Sequence, residues 1–242
     1  QNGDDWIING SKIFITNAST SITLGSSVLA VTGQQPDGRK QYTTFLVENS
    51  VPGFEAKAMK HKMLWRASNT SELYFTDCRV SSNMILGKKG DGFKQMLSTL
   101  DKGRLSIAAM GLGLAQGAFD YAVEYAKKRQ TFGRAISTYQ ANSFKLADIE
   151  VGLNLARNFL YEVCRMADRG ENITKEGAIA KLYCSELAHK AANDCVQIMG
   201  GYGLMKEYDA ERFYRDQKIL EIGEGTSEIQ RLVISRIIGC YD

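Results

Sequence analysis

The sequence predicts an α+β protein, an antiparallel β-sheet or barrel portion followed by an all-α four-helix bundle. Two observations carry that prediction. Up to Cys78, short β-branched and aromatic runs alternate with polar loops. Beyond Cys78, apolar residues recur three and four apart over long stretches, the spacing of one helix face. The expected division is a partial β domain over 1–86 and a helical domain over 87–242.

The strands come first. Trp6-Ile7-Ile8, Asn9-Gly10 and Lys12 to Thr16 predict a hairpin, because Asn-Gly is the strongest two-residue turn signal. Further strands are predicted over Ser27 to Thr32, Tyr42 to Val47 and Glu72 to Thr76. Gly92 to Arg129 then predicts one long helix, rich in Leu, Ala and Met and free of proline. Tyr139 to Arg169 and Thr174 to Met199 predict two more, with Thr174 as N-cap of the latter. Ser227 and Gln230 fit an S-x-x-Q capping box opening a last, short helix.

Composition narrows the function classes. A chain of 242 residues, 44% hydrophobic, 24% charged and of net charge +3, is ordinary for a globular protein. So mild a positive balance gives no argument for nucleic acid or an anionic membrane as partner, and no apolar run reaches the length of a membrane span. The five cysteines show no C-x-x-C spacing, so neither a disulfide framework nor a metal site is suggested. His61 and His189 stand far apart, which gives poor support to a Ser-His or Cys-His mechanism. Gln1 to Asp5 reads as a loop entering a strand, so the chain is expected to be a piece of a longer protein whose targeting segment is not in view.

The chemically suggestive stretch is Arg215 to Arg231, and within it Gly223-Glu224-Gly225. A carboxylate between two glycines sits on backbone that a ligand can approach closely. Two readings stand open on the spacing alone: a solvated turn ahead of a positive helix end, or a general base among apolar neighbours such as Ile219, Leu220 and Ile222.

The wider wording separates them. Tyr214-Arg215-Asp216, Lys218-Ile219, Glu224-Gly225-Thr226-Ser227 and Ile229-Gln230-Arg231 together resemble the C-terminal signature of the acyl-CoA dehydrogenase family, in its short- and medium-chain, butyryl-CoA-dehydrogenase-like branch. The resemblance implies a middle β domain and a C-terminal four-helix bundle, with the N-terminal helical domain absent from this chain. It implies that Glu224 is the catalytic base and that FAD is the cofactor. Phe14-Ile15-Thr16-Asn17 resembles the family's W-I-T-N motif, whose threonine bonds the flavin, with phenylalanine here in place of tryptophan. Asp101-Lys102-Gly103-Arg104 is similar to its D-x-x-R segment, which contacts the CoA thioester. Isovaleryl-type members carry their base at the position of Gly103, so glycine here leaves that role to Glu224.

Arg129-Gln130-Thr131-Phe132-Gly133 with Gln140 resembles R-x-T-F-G…Q, and Gln197 to Gly203 resembles Q-x-x-G-G-x-G. In the family both reach the FAD of a neighbouring subunit, which implies a homotetramer, a dimer of dimers. The implied cofactor contacts are Phe14, Ile15, Thr16, Arg129, Phe132, Gln140, Gln197, Gly200, Gly201, Thr226 and Glu228. The implied substrate contacts are Asp101, Arg104, Gly223 and Gly225, with no metal.

The implied reaction is oxidation of an acyl-CoA to the trans-2-enoyl-CoA, Glu224 taking the proton next to the thioester carbonyl while flavin N5 takes the hydride from the adjacent carbon. Desolvation by the acyl chain would strengthen the carboxylate as a base. Gly223, where many relatives carry tyrosine, suggests room for a short or branched acyl chain. An electron-transferring flavoprotein is the implied acceptor, and a bacterial cytoplasm or mitochondrial matrix the implied compartment. An acyl-CoA oxidase and a non-catalytic DNA-binding flavoprotein relative are the alternatives, the latter disfavoured by the mild charge and the intact Glu224.

Overall fold

The computed structural model describes residues 1–241. Two compact units divide the chain, Gln1–Thr99 and Leu100–Asp242. The division falls inside the first long helix.

The first unit holds five strands: β1 (Asp5–Thr16), β2 (Gly25–Gln34), β3 (Lys40–Glu48), β4 (Phe54–Ala58) and β5 (Thr70–Ser81). They form a three-stranded antiparallel sheet in the order β1-β5-β4 and a separate β2-β3 pair, so no barrel closes among the described residues. Trp6, Ile8, Val28, Phe45, Val47, Leu73, Phe75, Cys78 and Val80 make its buried core. The Trp6 and Phe45 rings meet there at 5.5 Å between centroids. β4 was not expected from the sequence.

The expected hairpin at Asn9-Gly10 does not form. β1 runs straight through it and pairs along its length with β5. The register passes from Ile8↔Cys78 to Gly10↔Phe75, which leaves Thr76 and Asp77 of β5 opposite Asn9. Asn9 closes this bulge with its side chain, accepting from Asp77 N at 2.7 Å and donating to Asp77 Oδ1 at 3.0 Å, while Asp77 takes a φ of 49°. A bulge shifts the inside–outside phase of a strand by one residue. Along β5 the buried positions accordingly step through Ser71, Leu73 and Phe75 and then resume at Cys78 and Val80. A second irregularity between Lys12 and Ile15 places one extra residue in β1, with Phe14 at φ 62°.

The second unit is helical: α1 (Gly92–Lys128, entered from the first unit), α2 (Gln140–Asp168), α3 (Thr174–Met199), α4 (Ala210–Asp216), α5 (Lys218–Ile222) and α6 (Ser227–Ile237). Two-residue strands β6 (Gln130–Thr131) and β7 (Arg134–Ala135) make a tight turn after α1. α3 is the central helix, with a nearly continuous row of buried residues from Gly177 to Met199. It packs against α2, α6 and α4. α1 comes close to it at Gly111, where a Cβ would lie 2.8 Å from Cys184 O.

Two caps differ from expectation. Ile173, not Thr174, occupies the N-cap of α3, and the Thr174 hydroxyl donates instead to Asp101 Oδ2 at 2.9 Å. Thr226, not Ser227, caps α6, accepting from Ile229 N at 3.3 Å. The segment before Glu224 is built from the short helices α4 and α5. No helix among the described residues is long and apolar enough to cross a membrane.

Candidate active site

Glu224 lies in the turn between α5 and α6. α5 ends because Gly223 turns extended, at φ −64° and ψ 151°. Glu224 then takes φ 55° and Gly225 φ 92°. A left-handed non-glycine residue costs roughly 1–3 kcal/mol and persists only where its surroundings fix it. The surroundings here do so. The fully buried Gln230 side chain donates to Gly225 O at 2.8 Å and to Glu224 O at 3.3 Å. The fully buried Lys181 of α3 donates to Gly225 O at 2.7 Å. Burial draws the Lys181 ammonium down to about 8. Gly225 is required as glycine, since a Cβ on it would meet Gln230 Nε2 at 2.8 Å.

The turn aims the Glu224 side chain at α1. A Cβ on Gly103 would stand 2.6 Å from Glu224 Oε2, so the bare backbone of Gly103 is what the carboxylate rests against. Arg104, the next residue of α1, is 5% exposed and donates to Asp101 Oδ1 at 2.6 Å. The other Asp101 oxygen is taken by Thr174, so Asp101 fastens Arg104 and the start of α3. Arg104 Nε is buried with no partner in the protein, leaving one guanidinium donor unspent. Gly223 borders the end of α5 rather than open space: a Cβ there would stand 3.2 Å from Ile219 O.

Thr226 and Glu228 follow on α6. The Glu228 carboxyl is held below the usual carboxylate range first by its own backbone N–H and then by the Thr226 hydroxyl. A hydroxyl that caps a helix while donating to a first-turn carboxylate rigidifies the turn just past Glu224.

A second constellation lies at the far end of α1. Arg129, Thr131, Asn142, Gln197, Gly200 and Gly201 share the wall of a cavity of about 560 Å³. The Arg129 guanidinium sits 5.6 Å from the centroid of the Tyr202 ring. A Cβ on Gly200 or Gly201 would meet nothing within 4 Å, so their backbone is open to a ligand. Phe132, at φ 50° and 98% exposed, and Gln140, exposed at the start of α2, stand outside that wall.

Thr16 ends β1 in the first unit. It is exposed, Phe14 beside it is 68% exposed, and Ile15 between them packs partly into the core. Asn17, at φ 61°, donates its backbone N–H to Asn69 O at 3.1 Å and so fixes the exit from the strand. Among the described residues no group of His, Cys, Asp and Glu is arranged to hold a metal ion. The five thiols are unpaired, and burial pushes Cys184 and Cys195 up to about 12.

Two polar residues of the site escaped sequence reasoning, Lys181 and Gln230. Lys181 stands in a helical pattern where lysine ordinarily faces water. Gln230 spells the last position of a capping box, and its amide instead bonds the Glu224 and Gly225 carbonyls.

The acyl-CoA dehydrogenase C-terminal domain model matches residues 90–239, and the middle domain model matches residues 1–78. The chain belongs to the acyl-CoA dehydrogenase family. Among members of that family, it is 48% identical over 235 residues to a "Probable acyl-CoA dehydrogenase" of Bacillus subtilis, covering 97% of this chain and 61% of that protein. Butyryl-CoA dehydrogenase from Megasphaera elsdenii superposes with a TM-score of 0.92 at 40% identity, over 98% of this chain and 62% of that one. A chain solved in work on the electron transferring flavoprotein of Acidaminococcus fermentans and flavin-based electron bifurcation gives a TM-score of 0.91 at 40% identity, over 99% of this chain and 62% of that one. The chain thus spans about three-fifths of the acyl-CoA dehydrogenases it matches.

Proposed function

We propose that this chain carries the base and part of the cofactor site of an FAD-dependent acyl-CoA dehydrogenase acting on a short or branched acyl thioester. The observation that supports it best is Glu224, a carboxylate on a left-handed residue between two glycines, fixed through its own and the next carbonyl and lodged against the bare backbone of Gly103. Backbone strain of this kind collects at active sites. Similarity to butyryl-CoA dehydrogenase supports the short-chain choice.

In this reading Glu224 takes the proton from the carbon next to the thioester carbonyl. Its backbone N–H, presented by the Gly223-Glu224-Gly225 turn, donates to the thioester oxygen. Such a donor stabilises the charge that develops there and is commonly worth about a hundred- to a thousandfold in rate. Arg104, held by Asp101, directs its unspent donor toward the CoA portion.

The residues at the Arg129 cavity fit the dinucleotide. Arg129 offers a planar fork to a pyrophosphate, Gly200 and Gly201 present open backbone beside it, and Gln197 adds an exposed amide. Thr16, Phe14 and Ile15 at the end of β1, and Thr226 with Glu228 on α6, are the other proposed contacts. Bound FAD supplies the two-electron oxidant that accepts the hydride. Arg129, Phe132, Gln140, Gln197, Gly200 and Gly201 are proposed to serve the FAD of a neighbouring copy in a homotetramer, a role that suits a phenylalanine as exposed as Phe132. An electron-transferring flavoprotein is the proposed acceptor, supported by the setting in which the Acidaminococcus homologue was solved.

The test is an anaerobic titration of the full-length, FAD-loaded protein with a panel of acyl-CoA thioesters. Bleaching of the oxidised flavin band by short chains is expected, and Glu224→Gln is expected to bind thioester without bleaching. Bleaching at the wild-type rate by Glu224→Gln would overturn the assignment of the base.

A further inference from the structure

We propose that Lys181 is a positioning residue for the Glu224 carboxylate: from α3, its buried ammonium fixes the Gly225 carbonyl and with it the left-handed turn from which the base projects. The inference rests on the reading of Glu224 as base.

Lys181 is fully buried, yet among the described residues it makes no ion pair. A buried ammonium without a carboxylate partner is costly, and a methionine would fill much the same volume without that cost. What the charge supplies is a charge-assisted bond, about twice as strong as a neutral one, to the carbonyl directly after the base. Gly225 O takes that bond at 2.7 Å and a second from Gln230 at 2.8 Å, which occupies both of its lone pairs. The peptide plane between Gly225 and Thr226 is thereby held from two helices at once, α3 and α6. Rotation of that plane would carry Glu224 away from Gly103.

α3 is itself tied to the segment leading into the turn. Ser185, one helical turn after Lys181, has its hydroxyl 2.9 Å from Leu220 O and 2.6 Å from Lys181 O. The base is therefore referenced to α3 on both sides. The charged groups that face the ammonium are Glu221 of α5, Glu228 of α6 and Glu224 of the turn, which favour its charge, and Arg104 of α1, which opposes it. Burial outweighs them and brings the ammonium within reach of titration near neutral pH. A neutral amine can still donate, but more weakly, so the hold on the turn relaxes as the proton leaves.

The experiment uses the full-length, FAD-loaded protein with butyryl-CoA as probe. Stopped-flow flavin reduction, expressed per bound flavin, is followed from about pH 6 to about pH 10 for the wild type, Lys181→Met, Lys181→Arg and Glu224→Gln. Lys181→Met is expected to lower the limiting rate of flavin reduction about a hundredfold with the half-saturating butyryl-CoA concentration little changed, the signature of a displaced base rather than a lost binding contact. Lys181→Arg, which keeps a cation, is expected to recover part of the rate. The wild-type rate is expected to fall as pH rises through about 8, a limb that Lys181→Met lacks.

A merely structural lysine would lower the amount of flavin-loaded protein and leave the rate per bound flavin unchanged, and that result overturns the proposal. Should Lys181→Met load no flavin, Lys181→Leu takes its place, and a rate of reduction per bound flavin equal to that of wild type overturns the proposal. Glu224→Gln separates the two ideas. If it is inactive while Lys181→Met matches wild type, the base reading stands and this inference falls. If it stays active, the base reading itself has failed.

Discussion

Replacing Gly103 by alanine should make the protein more stable and less active at once. Gly103 lies within α1, where alanine is favoured over glycine by about 1 kcal/mol. The added Cβ would stand 2.6 Å from Glu224 Oε2, whereas ordinary contact begins at 3.4 Å, so the carboxylate must withdraw by about 0.8 Å. The obstructing atom is the far end of an exposed, flexible side chain, and its retreat costs the fold little. A misplacement approaching 1 Å can nonetheless cost a reaction about a hundredfold. The assays are thermal unfolding and stopped-flow reduction of bound flavin by butyryl-CoA, both on the full-length protein. Tm is expected to rise by about 1–2 °C while the reduction rate falls about a hundredfold. A variant that reduces flavin as fast as wild type would refute the claim that this carboxylate works from its place against Gly103. A lowered Tm would refute the claim that only a side-chain end obstructs the methyl group.

Other outcomes follow from the same geometry. Gly111→Val places a Cβ 2.8 Å from the backbone oxygen of Cys184, which cannot step aside, so it should destabilise the helical unit by about 1–3 kcal/mol and lower Tm. Thr226→Ala removes the N-cap of α6 and should cost about 1 kcal/mol in denaturant unfolding. At pH 9 a thiol reagent should label the exposed Cys240 in the native protein and spare Cys184 and Cys195, which stay protonated until about 12. Those two thiols also set a direction for stability. Between the ordinary thiol range and about 12 the unfolded chain is the more ionised, so their contribution falls as pH rises through that window, as alkaline unfolding curves would register.

The long helices were legible because their apolar spacing is local: α3 runs from Thr174 to Met199 as the spacing alone predicts. The caps were read one residue off. Ser227 and Gln230 satisfy the capping-box spelling, but the Gln230 amide is drawn to two carbonyls of the Glu224 turn, and Thr226 caps in its place. Asn9-Gly10 spells a hairpin to any local rule. Its partner, Asp77, lies in a strand distant in sequence, and that long-range bond converts the turn signal into a bulge. β4 is short and its alternation weak, which hid it. Around the candidate site, the residues with a motif could be read and their supports could not. Glu224, Arg104 and Arg129 sit in recognisable spellings, whereas Lys181 is a lysine in an ordinary helical run until the fold buries it.

The Glu224 turn also bears on when the cost of organising this site falls due. Lys181 and Gln230 hold it from the side of α3 and α6 through bonds made wholly within the chain. The unfavourable left-handed backbone is therefore settled when the chain folds and is not charged again to each catalytic cycle. An arriving thioester has only the side-chain torsions of Glu224 left to order, and the binding energy that a floppy loop would consume stays free for holding the acyl chain.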